Sequence, residues 1–207
     1  MMLPVQGQQY LDYNYPVLNF GFRLGLNALY NTNCNLYSEK TELTNKSFLN
    51  ESGYDINTFL RINLDRIFMQ PELEWSLYRQ KISFSSENSD KLFSMKTQAA
   101  KVNVLAGYYF TKNGPFLFSF ICGSSFHYYF NTSFNTSFQS KTPHFVPYGL
   151  AGFSINISNI YFDVRYGISF FNTNISFDEI PDIPESLKGI SLDKKENILN
   201  FSCGLIF

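Results

Sequence analysis

Residues 66–84, RIFMQPELEWSLYRQKISF, carry two patterns at once. From Phe68 onward, one set of alternate positions reads Phe68, Gln70, Glu72, Glu74, Ser76. The interleaved set reads Met69, Pro71, Leu73, Trp75, Leu77. Successive side chains of a β-strand point to opposite faces. The segment is therefore a strand with two carboxylates on one face and an unbroken apolar stripe on the other. The fold must provide a place for both.

The same period-2 alternation recurs along the chain, and helical periodicity hardly appears. Strands are expected at 18–30, 53–64, 67–84, 94–110, 115–130, 144–157, 160–171 and 196–207. Asp65-Arg66, TKNG at 111–114 and Ser158-Asn159 read as tight hairpin turns. Segments 31–52, 85–93, 131–143 and 172–195 read as long loops rich in Asn and Ser. An even number of strands, short turns at one end and long loops at the other is the layout of a bacterial outer-membrane barrel. Residues 1–17 read as a periplasmic lead-in, 18–207 as the barrel, and 178–195 as an acidic, proline-bearing loop within it.

The faces settle which side is in. Strand 18–30 sets Phe20, Phe22, Leu24 and Leu26 against Asn19, Gly21, Arg23, Gly25 and Asn27. Strand 160–171 sets Phe162, Val164, Tyr166 and Ile168 against Asp163, Arg165, Gly167 and Ser169. A soluble barrel of the lipocalin kind would turn the bulky face inward. Its exterior would then be Gly, Asn and Ser with few charges, a poor solubilising surface. Only 16% of the 207 residues are charged, against 18% aromatic, whereas soluble domains carry about 25% charged residues. The inverted arrangement fits: small residues and a few ions inside, the bulky stripe in lipid, and every backbone donor paired by closure. The expected fold is all-β, an eight-stranded antiparallel up-and-down transmembrane β-barrel with both termini periplasmic.

On this reading Glu72 and Glu74 face the lumen, and Trp75 faces lipid or the interface. Buried ions need partners. Arg23, Arg61, Glu72, Glu74, Asp163 and Arg165 are expected to form a lumen-plugging ion-pair network, with Lys101 as a further candidate. Trp75, the pair Tyr108 and Tyr109, and the pair Tyr128 and Tyr129 are expected in interfacial girdles, together with Phe110 and Phe130.

Several segments resemble PorT-like outer-membrane β-barrels of Bacteroidota. LNFGFRLGLNALY, through Phe20, Gly21, Gly25 and Asn27, is similar to the first strand of that family. FLRINLDRIFMQPELEWSLYRQKISF, with its QPEL element at Gln70–Leu73, is similar to the second hairpin. YFDVRYGISFFN, with Asp163, Arg165 and Tyr166, is similar to the penultimate strand, and NILNFSCGLIF closes on Phe207. The resemblance implies an eight-stranded barrel in the outer membrane, with Phe207 as the terminal aromatic read by the assembly machinery. It also implies a cleavable export signal. MMLPVQGQQYLDYNYP has neither a basic n-region nor an apolar h-region, so that signal is expected to have been removed or to lie upstream.

Candidate chemistry is sparse. The chain has two histidines, His127 and His144, flanking 131–143 at the expected outer rim, with Ser125 on the face of His127. This Ser/His set lacks an acid to orient the histidine, and two histidines do not close a metal site. Cys34, Cys122 and Cys203 are too widely spaced for a disulfide framework or a metal knuckle. The Asn-x-Ser/Thr triplets at Asn45, Asn50, Asn131, Asn135 and Asn174 match composition and imply no glycosylation in a bacterial protein. A net charge of -1 offers no field for nucleic acid. No cofactor and no metal are called for. The expectation is a non-enzymatic protein, a structural or accessory subunit of a larger outer-membrane complex for secretion, assembly or uptake. Its partners would be outer-membrane lipid and other outer-membrane or periplasmic proteins. A small channel or surface ligand binder is the alternative, and a lipid-modifying barrel enzyme the third reading.

Overall fold

The computed structural model describes residues 16–38, 41–42, 46–86, 89–111, 116–134, 139–140, 144–176 and 190–207. Eight long strands build the wall: β1 (Leu18–Ser38), β2 (Lys46–Leu64), β3 (Ile67–Ser86), β4 (Ser89–Tyr109), β5 (Phe116–Phe134), β6 (His144–Ile157), β7 (Ile160–Ser169) and β8 (Ile190–Ile206). Each pairs antiparallel with its sequence neighbours, and β8 pairs back onto β1, so the sheet closes. Closure is completed where Phe207 exchanges both backbone hydrogen bonds with Phe20, at 2.8 and 3.0 Å. Three short strands, Thr41–Glu42, Gln139–Ser140 and Thr173–Ser176, widen the sheet beside β1, β5 and β8.

The tight turns set the register. Asp65 (φ 59°) and Ser158 (φ 54°) adopt left-handed backbone at the first turn position, as two-residue hairpins matched to strand twist require. Leu64 therefore faces Ile67, and Ile157 faces Ile160. The lipid-facing stripe emerges as expected: Phe20, Leu24, Leu26, Met69, Leu73, Val164 and Ile168 are all exposed on the outer wall. Leu77, at the end of its stripe, is instead covered; it lies beside a register shift between Glu51 and Tyr54.

The outer ends differ from the loops expected there. β3 and β4 remain paired up to Ser86–Ser89, so 85–93 is the tip of a hairpin. β1 runs to Ser38 and β2 starts at Lys46, inside the expected loop 31–52. Strand also occupies 131–134 and 139–140 of the third loop, and 173–176 and 190–195 of the fourth. Beyond the bilayer both faces of a strand meet water, so the apolar alternation stops although the backbone ladder continues. The core of the acidic segment, 177–189, and residues 1–15 of the lead-in lie outside the described residues. Pro16 and Val17 both accept hydrogen bonds from Asn63.

Candidate functional site: the barrel lumen

Lumen glycines stand directly across from the bulkiest lumen side chains. Gly21 pairs with Phe59, Gly107 with Phe68, Gly204 with Arg23 and Gly152 with Arg165. A Cβ on Gly21 would lie 2.1 Å from the Phe59 ring, and one on Gly204 would lie 2.0 Å from the Phe22 carbonyl oxygen. The narrow interior of an eight-stranded barrel has room for large side chains only where the opposing strand has none.

Three layers fill it. The periplasmic layer is aromatic and apolar: Phe59, Phe68, Tyr109, Leu117, Ile121, Tyr161 and Ile206 are buried together. The outer layer holds Leu29, Tyr78, Tyr129, Val146, Tyr148 and Ile198. Between them lies an ionic layer of three cations and three carboxylates, Arg23, Lys101 and Arg165 with Glu72, Glu74 and Asp163.

Glu72 is its hub. It accepts from Arg165 Nη1 and Nη2 at 2.8 and 2.9 Å, and from Arg23 Nη2 at 2.9 Å. Asn103 Nδ2 at 2.8 Å, Asn57 Nδ2 at 3.1 Å and Gln70 Nε2 at 2.6 Å complete its shell. Arg165 also donates to Asp163 at 2.8 Å, and Arg23 pairs with Asp163 as well. Glu74 pairs with Lys101 and Arg23 and accepts from Ser76 Oγ at 3.0 Å. Asp163 accepts from Ser202 at 2.5 Å. Asp55 stands to one side, held by Asn200 at 2.5 Å and Asn27 at 3.3 Å. In a ring of eight strands, β3 and β7 are diametrically opposed. The bidentate Arg165–Glu72 pair therefore spans the lumen, and Arg23 from β1 ties both walls together. Charged, bidentate bonds of this kind are the strong ones.

The lumen thus brings together Arg23, Glu72, Glu74, Asp163 and Arg165, with Lys101 beside them. Arg61 differs. Its partners are neutral: Nε donates to Gln70 Oε1 at 2.6 Å, and Nη1 to the Tyr109 hydroxyl at 3.2 Å. Its guanidinium lies over Phe68 at 4.3 Å and Tyr161 at 4.8 Å. It belongs to the aromatic layer and reaches the ions indirectly, through Gln70 to Glu72 and through Tyr161 to Arg165, because its height on β2 places it one row nearer the periplasm. Asn57, Asn103, Asn200 and Ser202 were not foreseen as partners; their shared parity with the charged residues on their strands is the signal that marks them.

The girdle expectation needs correction at two positions. Tyr108 and Tyr128 face outward, but Tyr109 and Tyr129 are buried in the lumen. Adjacent residues of one strand cannot share a face. Trp75 is half-buried on the outer wall, 6.3 Å from Tyr54.

The Ser125/His127 set is also rearranged. Ser125 donates to Asn103, not to His127. His127 is buried, stacks on Tyr148 at 4.0 Å, and holds Nδ1 3.3 Å from the Tyr129 hydroxyl. It sits inside the outer layer, below the rim. The backbone of His144 pairs with that of Tyr129, and its side chain lies outside the described residues, as does that of Cys34. Cys122 and Cys203 are free thiols on the lipid face.

A closed barrel with an apolar outer wall and its mid-height ions turned inward defines an integral outer-membrane protein. The chain belongs to the outer membrane protein beta-barrel domain family, whose profile matches residues 9–174. It is a protein of the bacterial outer membrane. Among solved structures, OprG from Pseudomonas aeruginosa is similar at 13% identity and a TM-score of 0.58, covering 91% of this chain and 95% of OprG. Ail, the attachment invasion locus protein of Yersinia pestis, is similar at 10% identity and a TM-score of 0.45, covering 92% and 99%. Neisserial surface protein A follows at 12% identity and a TM-score of 0.35, covering 86% and 95%. At 13% identity the likeness to OprG is one of fold. Comparison with curated proteins gives no match.

Proposed function

We propose that this barrel is a non-enzymatic structural or accessory subunit of a larger outer-membrane complex for secretion, assembly or uptake. The observation that carries the reading is the Arg165–Glu72 pair across the lumen, tied by Arg23 and capped by two aromatic layers. Such a filled interior is built for rigidity. The surfaces left for interaction are the lipid-facing wall and the outer hairpins. The resemblance to PorT-like barrels of Bacteroidota bears on fold and compartment; the part their namesake takes in type IX secretion does not transfer to this chain. Partners on this reading are other outer-membrane or periplasmic proteins, and Phe207 serves as the assembly signal. Purification of the tagged protein from native outer membranes in mild detergent tests it. A stoichiometric partner that survives gel filtration is the expected result, and a lone heat-modifiable monomer overturns it.

A second reading, a surface ligand binder, is favoured by one feature: paired strands reach Ser38 and Ser86, well past the apolar band. Trimming the β3–β4 tip would abolish ligand capture on that reading and leave a stable complex intact on the first. A channel would show as steady single-channel conductance in planar bilayers, and a lipid-modifying enzyme as an activity lost in His127→Ala.

A further inference from the structure

The outer wall is not evenly convex. Over β2, β1, β8 and β7 it carries a groove of about 630 Å³, lined by Leu24, Leu26, Tyr54, Ile56, Phe162 and Cys203. Its rows follow the register: Ile56, Leu24, Cys203 and Phe162 lie side by side on four consecutive strands. Cys203 is small, and its larger neighbours form the groove walls.

The outer end of the groove is basic. Tyr54, which lines it, carries the Arg79 guanidinium 5.9 Å above its ring. Arg79 stands directly opposite Lys96 across the β3–β4 ladder, on the outer face, and Lys81 follows two residues further out on that face. Like charges directly opposite each other in a sheet destabilise it. Glu51 of β2 pairs in register with Arg79, and among the described residues Arg79, Lys96 and Lys81 place three cations on this stretch of the outer face. The row begins just beyond Leu77, the last residue of the apolar stripe Met69, Pro71, Leu73, Trp75, Leu77, and interfacial anchors of a barrel flank its apolar band. Arginine is the side chain best shaped for phosphate.

From this we infer an anionic-lipid site: the groove takes an acyl chain of an outer-leaflet lipid, and Arg79 with Lys96 holds its phosphate. The groove supplies apolar burial, the cations supply selection, and Tyr54 joins the two. The site is independent of any subunit role.

The test is native mass spectrometry of the delipidated, folded barrel in nonionic detergent. It is titrated with diphosphorylated lipid A, dephosphorylated lipid A, phosphatidylethanolamine and inorganic phosphate. One diphosphorylated lipid A per barrel is expected, bound at least tenfold more tightly than its dephosphorylated form. Arg79→Gln with Lys96→Gln should remove that preference. Cys203→Trp, which fills the groove, should weaken both lipid forms together. Heat-modifiable gel mobility reports that each variant is folded, and Arg79→Gln alone serves if the double variant is not. Equal retention of all lipids, unchanged binding by the variants, or no retained lipid overturns the site. Inorganic phosphate competing as well as lipid A reduces it to an adventitious anion only and also overturns it.

Discussion

The two faces of β3 obey different rules. Inward, Gln70, Glu72, Glu74 and Ser76 each have a named partner on another strand or beside them. Outward, Met69 and Leu73 meet lipid, where any side chain of similar polarity serves. One face is specified residue by residue, the other only by hydrophobicity. Burying ions brings no assured stability, since a well-packed apolar replacement of a whole buried network is often as stable. What the ions add is intolerance: each member makes its neighbours costly to leave alone.

The largest expected effect follows. Glu72→Leu takes from Arg165 its bidentate partner and from Arg23 one of its three carboxylates, leaving three cations to two acids in a closed lumen, and breaking a buried pair from one side costs about 3–5 kcal/mol. Urea unfolding of the barrel in lipid vesicles measures it. A loss below about 1 kcal/mol would mean the lumen is wet enough to solvate two guanidiniums, and the contrast between faces would fall. The converse test goes outside. Leu73→Arg should cost about 2–4 kcal/mol, the range for a cation near the bilayer midplane, whereas Leu73→Val should be almost silent. If both are silent, Leu73 does not face lipid.

A smaller effect separates the faces by size alone. Gly204→Ala would push a Cβ into the Phe22 carbonyl, behind Arg23, and should cost about 1–3 kcal/mol as overpacking does. Ala151→Leu adds more bulk on the exposed outer wall and should change unfolding hardly at all. Equal responses in the two would show that the interior can expand.

Much of this was legible in the chain. Parity alone placed Arg23, Glu72, Glu74, Asp163 and Arg165 on the inner face, because the stripes are long and nearly unbroken. The visible turns fix some partners too: a turn at Asp65-Arg66 sets Asn57 opposite Glu74, and one at Ser158-Asn159 sets Gly152 opposite Arg165. Lys101 opposite Glu74 was less visible. That register is fixed by a β3–β4 ladder that continues to Ser86 and Ser89, inside a segment whose polar composition reads as a loop. Arg61 shows the other limit. Parity gives its face, but its height relative to strands elsewhere in the ring depends on the stagger of the whole barrel, which no single segment encodes.

The smallest effect is the sharpest test of parity. Tyr108 and Tyr109 are adjacent and chemically identical, yet only Tyr109 turns inward. There its hydroxyl accepts from Arg61 at 3.2 Å and donates to Asn63 at 3.0 Å, while its ring sits 4.8 Å from Phe68. Tyr109→Phe removes one buried hydroxyl and leaves the ring, so it should cost about 1.5 kcal/mol, the low end for a bond to a charged group. Tyr108→Phe should cost nothing measurable in the same vesicle assay. Because the ring is retained in both, the difference reads the hydroxyl alone. A reversed order would put Tyr108 inside and shift the whole of β4 by one residue, which would carry Lys101 out of the lumen and away from Glu74.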